Sequence, residues 1–168
     1  MGKTKRIVFL GIMLGIVIVL TAVEYMLPPL PLLPPHVRIG LSNIVTMYCV
    51  FFVNYRSAIM LNVLKSVFVL LTRGPIAGLL SLCGGMLSIC VIILLVVLFR
   101  DKISYAAVSV AGACAHNLGQ YAAVSFLLAT PYLMYYVPVL MISGVAVGLV
   151  TGTLLRVTLP VLHKIPRE

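Results

Sequence analysis

Residues 76–99 read IAGLLSLCGGMLSICVIILLVVLF, with Arg73 just before them and Arg100-Asp101-Lys102 just after. A helix over this stretch rises roughly 36 Å at ~1.5 Å per residue. That suffices to cross a bilayer hydrocarbon core of about 30 Å. The run carries no charge, and charges stand at both ends. That pattern belongs to a membrane span, and the rest of the chain repeats it.

Apolar residues make up 62% of the 168, and charged residues only 9%. A soluble domain of this length cannot hide so much apolar surface, so the solvent is lipid. Segment one runs from Ile7 to Leu27, behind Lys3, Lys5 and Arg6. It is too long and uninterrupted for a cleaved signal peptide and is expected to stay in the chain. Pro28–Pro35 follows, with five prolines in eight residues, and no helix continues through it. This apolar loop fits either a stiff lid over a pocket or a rigid connector at headgroup level. Segment two spans Ile39–Val53 and segment three Ser57–Leu71, joined by Asn54-Tyr55-Arg56. Thr72–Pro75 leads into segment four, already quoted. Segment five spans Ser104–Ala129 and segment six Leu133–Leu159, with a break at Thr130-Pro131 and a basic tail after segment six. The expected fold is all-α: one domain over residues 1–168, six transmembrane helices, multi-pass in the cell membrane.

The net charge of +9 would suggest nucleic acid in a soluble protein. Here it follows topology, because Lys and Arg collect on the cytoplasmic side. With the N-terminus inside, Lys3, Lys5, Arg6, Arg56, Arg100, Lys102, Arg156, Lys164 and Arg167 are cytoplasmic, against Arg38 and Arg73 outside. Both termini are therefore expected in the cytoplasm, and no nucleic-acid partner is expected. Cys49, Cys83, Cys90 and Cys114 lie in apolar runs without metal-ligand spacing and read as small apolar fillers.

The informative charges are those left inside the spans. Glu24 lies about 26 Å along segment one, near the outer face. Arg38 stands at the outer mouth of segment two, with Asn43 about a turn deeper. Arg73 caps the outer end of segment three, and Lys65 is near mid-depth. His116, Asn117 and Gln120 fall in the outer half of segment five, and His116 and Gln120, four apart, share a face. Segments one, two, three and five thus bring polar groups to one outer layer. Glu24, Arg38, Lys65 and Arg73 sum to a formal +2 with His116 neutral. Such a layer favours an anion or a solute with an anionic end, gripped bidentately by an arginine. The competing reading makes the arginines headgroup ligands and the amides interhelical glue. Lys65 resists that reading, since it is too deep for easy snorkelling.

Small residues mark close helix contacts. Gly78, Gly84 and Gly85, Ala111–Ala115, and Gly144, Gly148 and Gly152 suit packing inside the bundle, while Gly11 and Gly15 form a GxxxG that suits either the same internal packing or docking to a partner membrane protein. The chain has no Walker motif and only three acidic residues. It cannot build a carboxylate site for metal diphosphate, and no cofactor or enzymatic activity is expected.

Three stretches carry a family resemblance. His36-Val37-Arg38-Ile39-Gly40-Leu41-Ser42-Asn43-Ile44-Val45-Thr46 resembles the Gly-Leu-(Ala/Ser)-Asn-Ile block of the Gx transporter family. Thr72–Pro75 with Leu80–Ser88 resembles its next block, and Gly112–Gln120 is similar to its His-Asn-x-x-Gln block. The family is labelled heptaprenyl diphosphate synthase component I. It also resembles the substrate-binding S components of energy-coupling factor (ECF) transporters. That resemblance implies six helices, a lid-like first loop, an outward pocket, and a small-x-x-x-small patch, here Gly11 and Gly15, that docks a transmembrane coupling subunit served by ATPases. Some members resemble components of flavin-based extracellular electron transfer, which implies a vitamin-, flavin- or isoprenoid-like solute. Prenyl transfer itself needs carboxylates this chain lacks, so the label fits an accessory subunit.

Overall fold

A computed structural model describes residues 3–26, 41–99, 103–128, 135 and 137–162. Among them are six α-helices and no strand: α1 (Lys3–Met26), α2 (Leu41–Phe52), α3 (Tyr55–Arg73), α4 (Pro75–Phe99), α5 (Tyr105–Leu128) and α6 (Val137–Leu162). Four of them, α1, α3, α4 and α6, contain stretches long and apolar enough to cross a membrane. The protein is a multi-pass, all-helical membrane protein. α5 is as long as α1, and His116, Asn117 and Gln120 interrupt its apolar run. α2 has only 12 residues. The proline-rich stretch, Arg38, Arg100–Lys102, Thr130-Pro131 and the basic tail lie outside the described residues.

Local chemistry shifts several helix ends from their expected positions. α3 begins two residues early because Asn54 is its N-cap: its side chain accepts from the Arg56 amide at 3.3 Å. That absorbs Tyr55 and Arg56 into the helix instead of leaving them in the turn. At the other end α3 runs through Arg73 to Gly74, which sits at φ 89 and donates to Leu70 O at 3.0 Å. Only glycine takes that backbone geometry without strain. Pro75 then opens α4, where its missing N–H costs nothing. Ser104 caps α5, its hydroxyl accepting from the Ala107 amide at 3.2 Å.

The bundle is inverted relative to a soluble protein. On α4 the buried face is Gly78, Ser81, Gly84, Gly85, Ser88, Ile89 and Ile92, while Leu79, Leu87, Leu94, Val97 and Leu98 point outward. Apolar bulk faces lipid, and small residues let helices approach. The broadest contacts run α3–α4, α4–α5 and α5–α6. Gly144, Gly148 and Gly152 of α6 face Cys114, Val110 and Ala106 of α5, four residues apart on both helices. At Gly119 an added Cβ would stand 2.7 Å from Cys83 O of α4. Hydroxyls pin the same seams: Ser109 Oγ lies 2.7 Å from Thr151 Oγ1, and Ser66 Oγ donates to Ser81 Oγ at 3.3 Å.

α1 is attached by one stripe. Met13, Val17, Thr21 and Glu24 are buried, at the three- and four-residue spacing of a single helix face. α1 meets α2 and α3, and its other faces are exposed, Gly11 and Gly15 among them. Nothing stands within 4 Å of a Cβ built on either glycine. Among the cysteines, Cys49 is buried, and Cys83 and Cys114 half-buried, as fillers should be, whereas Cys90 is exposed on α4.

Candidate functional site

One end of the bundle collects the end of α1, the start of α2, the end of α3, the start of α4 and the later half of α5. A cavity of about 140 Å³ opens there. Glu24, Asn43, Lys65, Arg73, His116, Asn117 and Gln120 all line it, one or more from each of α1, α2, α3 and α5. Arg38 lies outside the described residues.

Each group is held by a specific contact. Lys65 is only 7% exposed, and its Nζ donates to Asn43 Oδ1 at 3.0 Å, which ties α3 to α2. An ammonium has three donors, and this contact uses one of them. The Glu24 carboxylate, also 7% exposed, acts electrostatically on Lys65. His116 Nε2 and Gln120 Nε2 lie 3.2 Å apart, one turn along α5 as their spacing requires. An amide nitrogen only donates, so this ring nitrogen accepts. Gly84 makes room for the pair: a Cβ there would stand 2.8 Å from Gln120 Cγ and 2.9 Å from His116 O.

Arg73 is exposed, at the end of α3. Its Cζ sits 3.7 Å above the centre of the Tyr25 ring. This cation–π contact holds the guanidinium at the cavity rim, where its fork of donors suits a carboxylate or phosphate.

Asn117 is placed differently from its two neighbours. It lies on the cavity wall, but its Nδ2 donates to Leu140 O of α6 at 2.8 Å, with Ser143 Oγ at 3.5 Å. One residue beyond His116 the helix has turned by about 100°, which aims this amide at α6. Its main contacts are those of an interhelical tie.

Sequence reasoning missed Thr21, Tyr25, Ala77, Leu80 and Ser81, which also line the cavity. Thr21 was accessible in principle, since it stands three residues before Glu24 and four before Tyr25, spacings that share a helix face. Ser81 was visible only as one serine among the small residues of α4. A second cavity of about 20 Å³ lies deeper, between Asn43, Ser88, Ser109 and Thr151, room for about one water. Among the described residues, no group of three His, Cys, Asp or Glu side chains could hold a metal ion.

The arrangement is a charged pocket inside an apolar bundle: one carboxylate, a buried ammonium, a guanidinium at the rim, and neutral hydrogen-bonding groups between. It can bind and orient an anion. No curated protein and no solved structure matches the chain. A family model described as heptaprenyl diphosphate synthase component I matches residues 13–158. That description is of a component of a synthase, which accords with a non-catalytic chain. With most of its length matched, the chain belongs to the heptaprenyl diphosphate synthase component I family.

Proposed function

We propose that the protein captures a small anionic or amphipathic solute from the outer side of the membrane and passes it to an ATP-driven partner complex of the ECF type. The observation that carries this reading is convergence upon a void. Polar groups that only join helices pair off across contacts, as Ser109 and Thr151 do at 2.7 Å. Lys65, Glu24, Arg73, His116 and Gln120 are held by contacts too, yet all of them also border one open cavity. Charges inside a membrane are costly and face a partner or a water-filled cavity.

The opposite side of α1 supports the partner half of the reading. Gly11 and Gly15 are exposed with open space around them. Internal packing therefore does not account for this GxxxG, and a close helix approach from a second membrane protein does.

Ligand binding by the purified protein in detergent tests the first half. Arg73→Ala and His116→Ala should each weaken binding of the copurifying solute by roughly tenfold or more while helicity is retained. Normal binding by both variants would place the site elsewhere. Gly15→Leu should impair assembly with the partner and spare solute binding. Unchanged assembly would remove the docking role.

Family membership favours a second reading, a membrane accessory subunit of heptaprenyl diphosphate synthesis. It predicts copurification with a prenyl transferase whose activity falls when this chain is deleted, with Lys65 and Arg73 variants behaving as wild type.

A further inference from the structure

The cavity narrows the solute further than its charge alone does, and the narrowing rests on the small-anion reading above. Its volume of about 140 Å³ is close to the ~150 Å³ of an engineered cavity that accepts one benzene ring. A flavin, with three fused rings and a ribityl chain, exceeds that space, and so does a long prenyl chain. The described charges in the wall are Lys65, Arg73 and Glu24, an excess of positive sign that favours an anion. Two aromatic surfaces, Tyr25 and His116, belong to the same wall.

The two cations stand at different depths. They are eight residues apart on α3, about 12 Å along its axis. Arg73 is exposed at the rim and Lys65 is 7% exposed within. A carboxylate entering the cavity therefore has one cation at the rim and another within. It meets Arg73 first, already oriented by its stack on Tyr25, and ends at Lys65, whose ammonium gives one bond to Asn43.

We infer that the solute is a single-ring aromatic monocarboxylate, its carboxylate on Lys65 and its ring in the space walled by Tyr25 and His116. Benzoate is the test probe, measured by equilibrium dialysis and thermal unfolding of the full chain in detergent. Benzamide, acetate and flavin mononucleotide serve as comparisons. Benzoate should bind and raise the unfolding midpoint, while benzamide, which keeps the ring and loses the charge, should not. Lys65→Met should reduce benzoate affinity by roughly tenfold or more, and Tyr25→Leu should reduce benzoate affinity while leaving that for acetate unchanged. Acetate binding as tightly as benzoate would overturn the assignment, because the ring would then contribute nothing. Flavin mononucleotide displacing benzoate in a Lys65-dependent way would overturn the single-ring limit and leave the small-anion reading standing. Absence of binding by every anion would overturn both.

Discussion

The glycine seam between α5 and α6 makes a sharp energetic prediction, because the same substitution should have opposite signs at two positions. In Gly148→Ala the new Cβ would overlap the Val110 Cα and stand 2.9 Å from Val110 N and 3.0 Å from Ser109 O. All three are backbone atoms, so no rotamer change relieves the overlap and the helices must part. Forcing an extra carbon into a packed contact costs about 1–3 kcal/mol. Separation also stretches the neighbouring Ser109–Thr151 hydrogen bond, now 2.7 Å, and such bonds contribute about 0.6 kcal/mol in membranes. Alanine's better helix propensity returns up to ~1 kcal/mol. The net loss is about 2 kcal/mol. In Gly15→Ala the new carbon meets nothing within 4 Å, so only the propensity gain of up to ~1 kcal/mol remains. The two variants should therefore differ by about 3 kcal/mol, roughly two decades in the unfolding equilibrium constant. Equilibrium unfolding in mixed detergent micelles, followed by helicity, measures this. Equal shifts in one direction for both variants would refute the idea that the seam holds the bundle and that α1 leaves Gly15 uncovered.

Two further outcomes follow from local geometry. Asn54→Ala removes the side chain that caps α3 and should lower stability by about 1 kcal/mol, whereas Asn54→Asp should retain most of it; the same unfolding assay reads both. Thr151→Ala should cost about 0.6 kcal/mol, and adding Ser109→Ala should cost little more, since the two hydroxyls bond each other; a double-mutant cycle with no coupling would contradict the contact.

The number and order of the helices were legible because charge and proline punctuate the chain. Arg73, Pro75 and Arg100 bracket α4 closely. Helix ends were less legible where a cap decides them. Asn54 reads as a turn residue until its side chain is seen accepting from Arg56, and that contact extends α3 backwards. The polar constellation was legible through depth. Counting residues from alternate ends put Glu24, Asn43, Arg73, His116 and Gln120 at one level, and the cavity brings them together. Side-chain direction was not legible. Asn117 is adjacent to His116 in sequence, yet α6 packing claims its amide. Tyr25 went unnoticed because an aromatic near a span end suits the interfacial belt, and only the position of the Arg73 guanidinium shows it framing a pocket.

The single buried stripe of α1 has a consequence for motion. α3 to α6 are joined by broad contacts, small-residue seams and hydroxyl pairs, whereas α1 leans on α2 and α3 through Met13, Val17, Thr21 and Glu24. Helices held by few contacts open at the low end of a protein's stability range. The cavity lies where α1 meets the rest, with Thr21, Glu24 and Tyr25 on one wall and Lys65 and His116 opposite. A bound molecule would act as a staple across that joint and deepen the protection of α1 by mass action. Amide exchange in α1, slowed on loading while exchange in α5 and α6 stays the same, would then report occupancy of the site from a helix whose outer face remains in lipid.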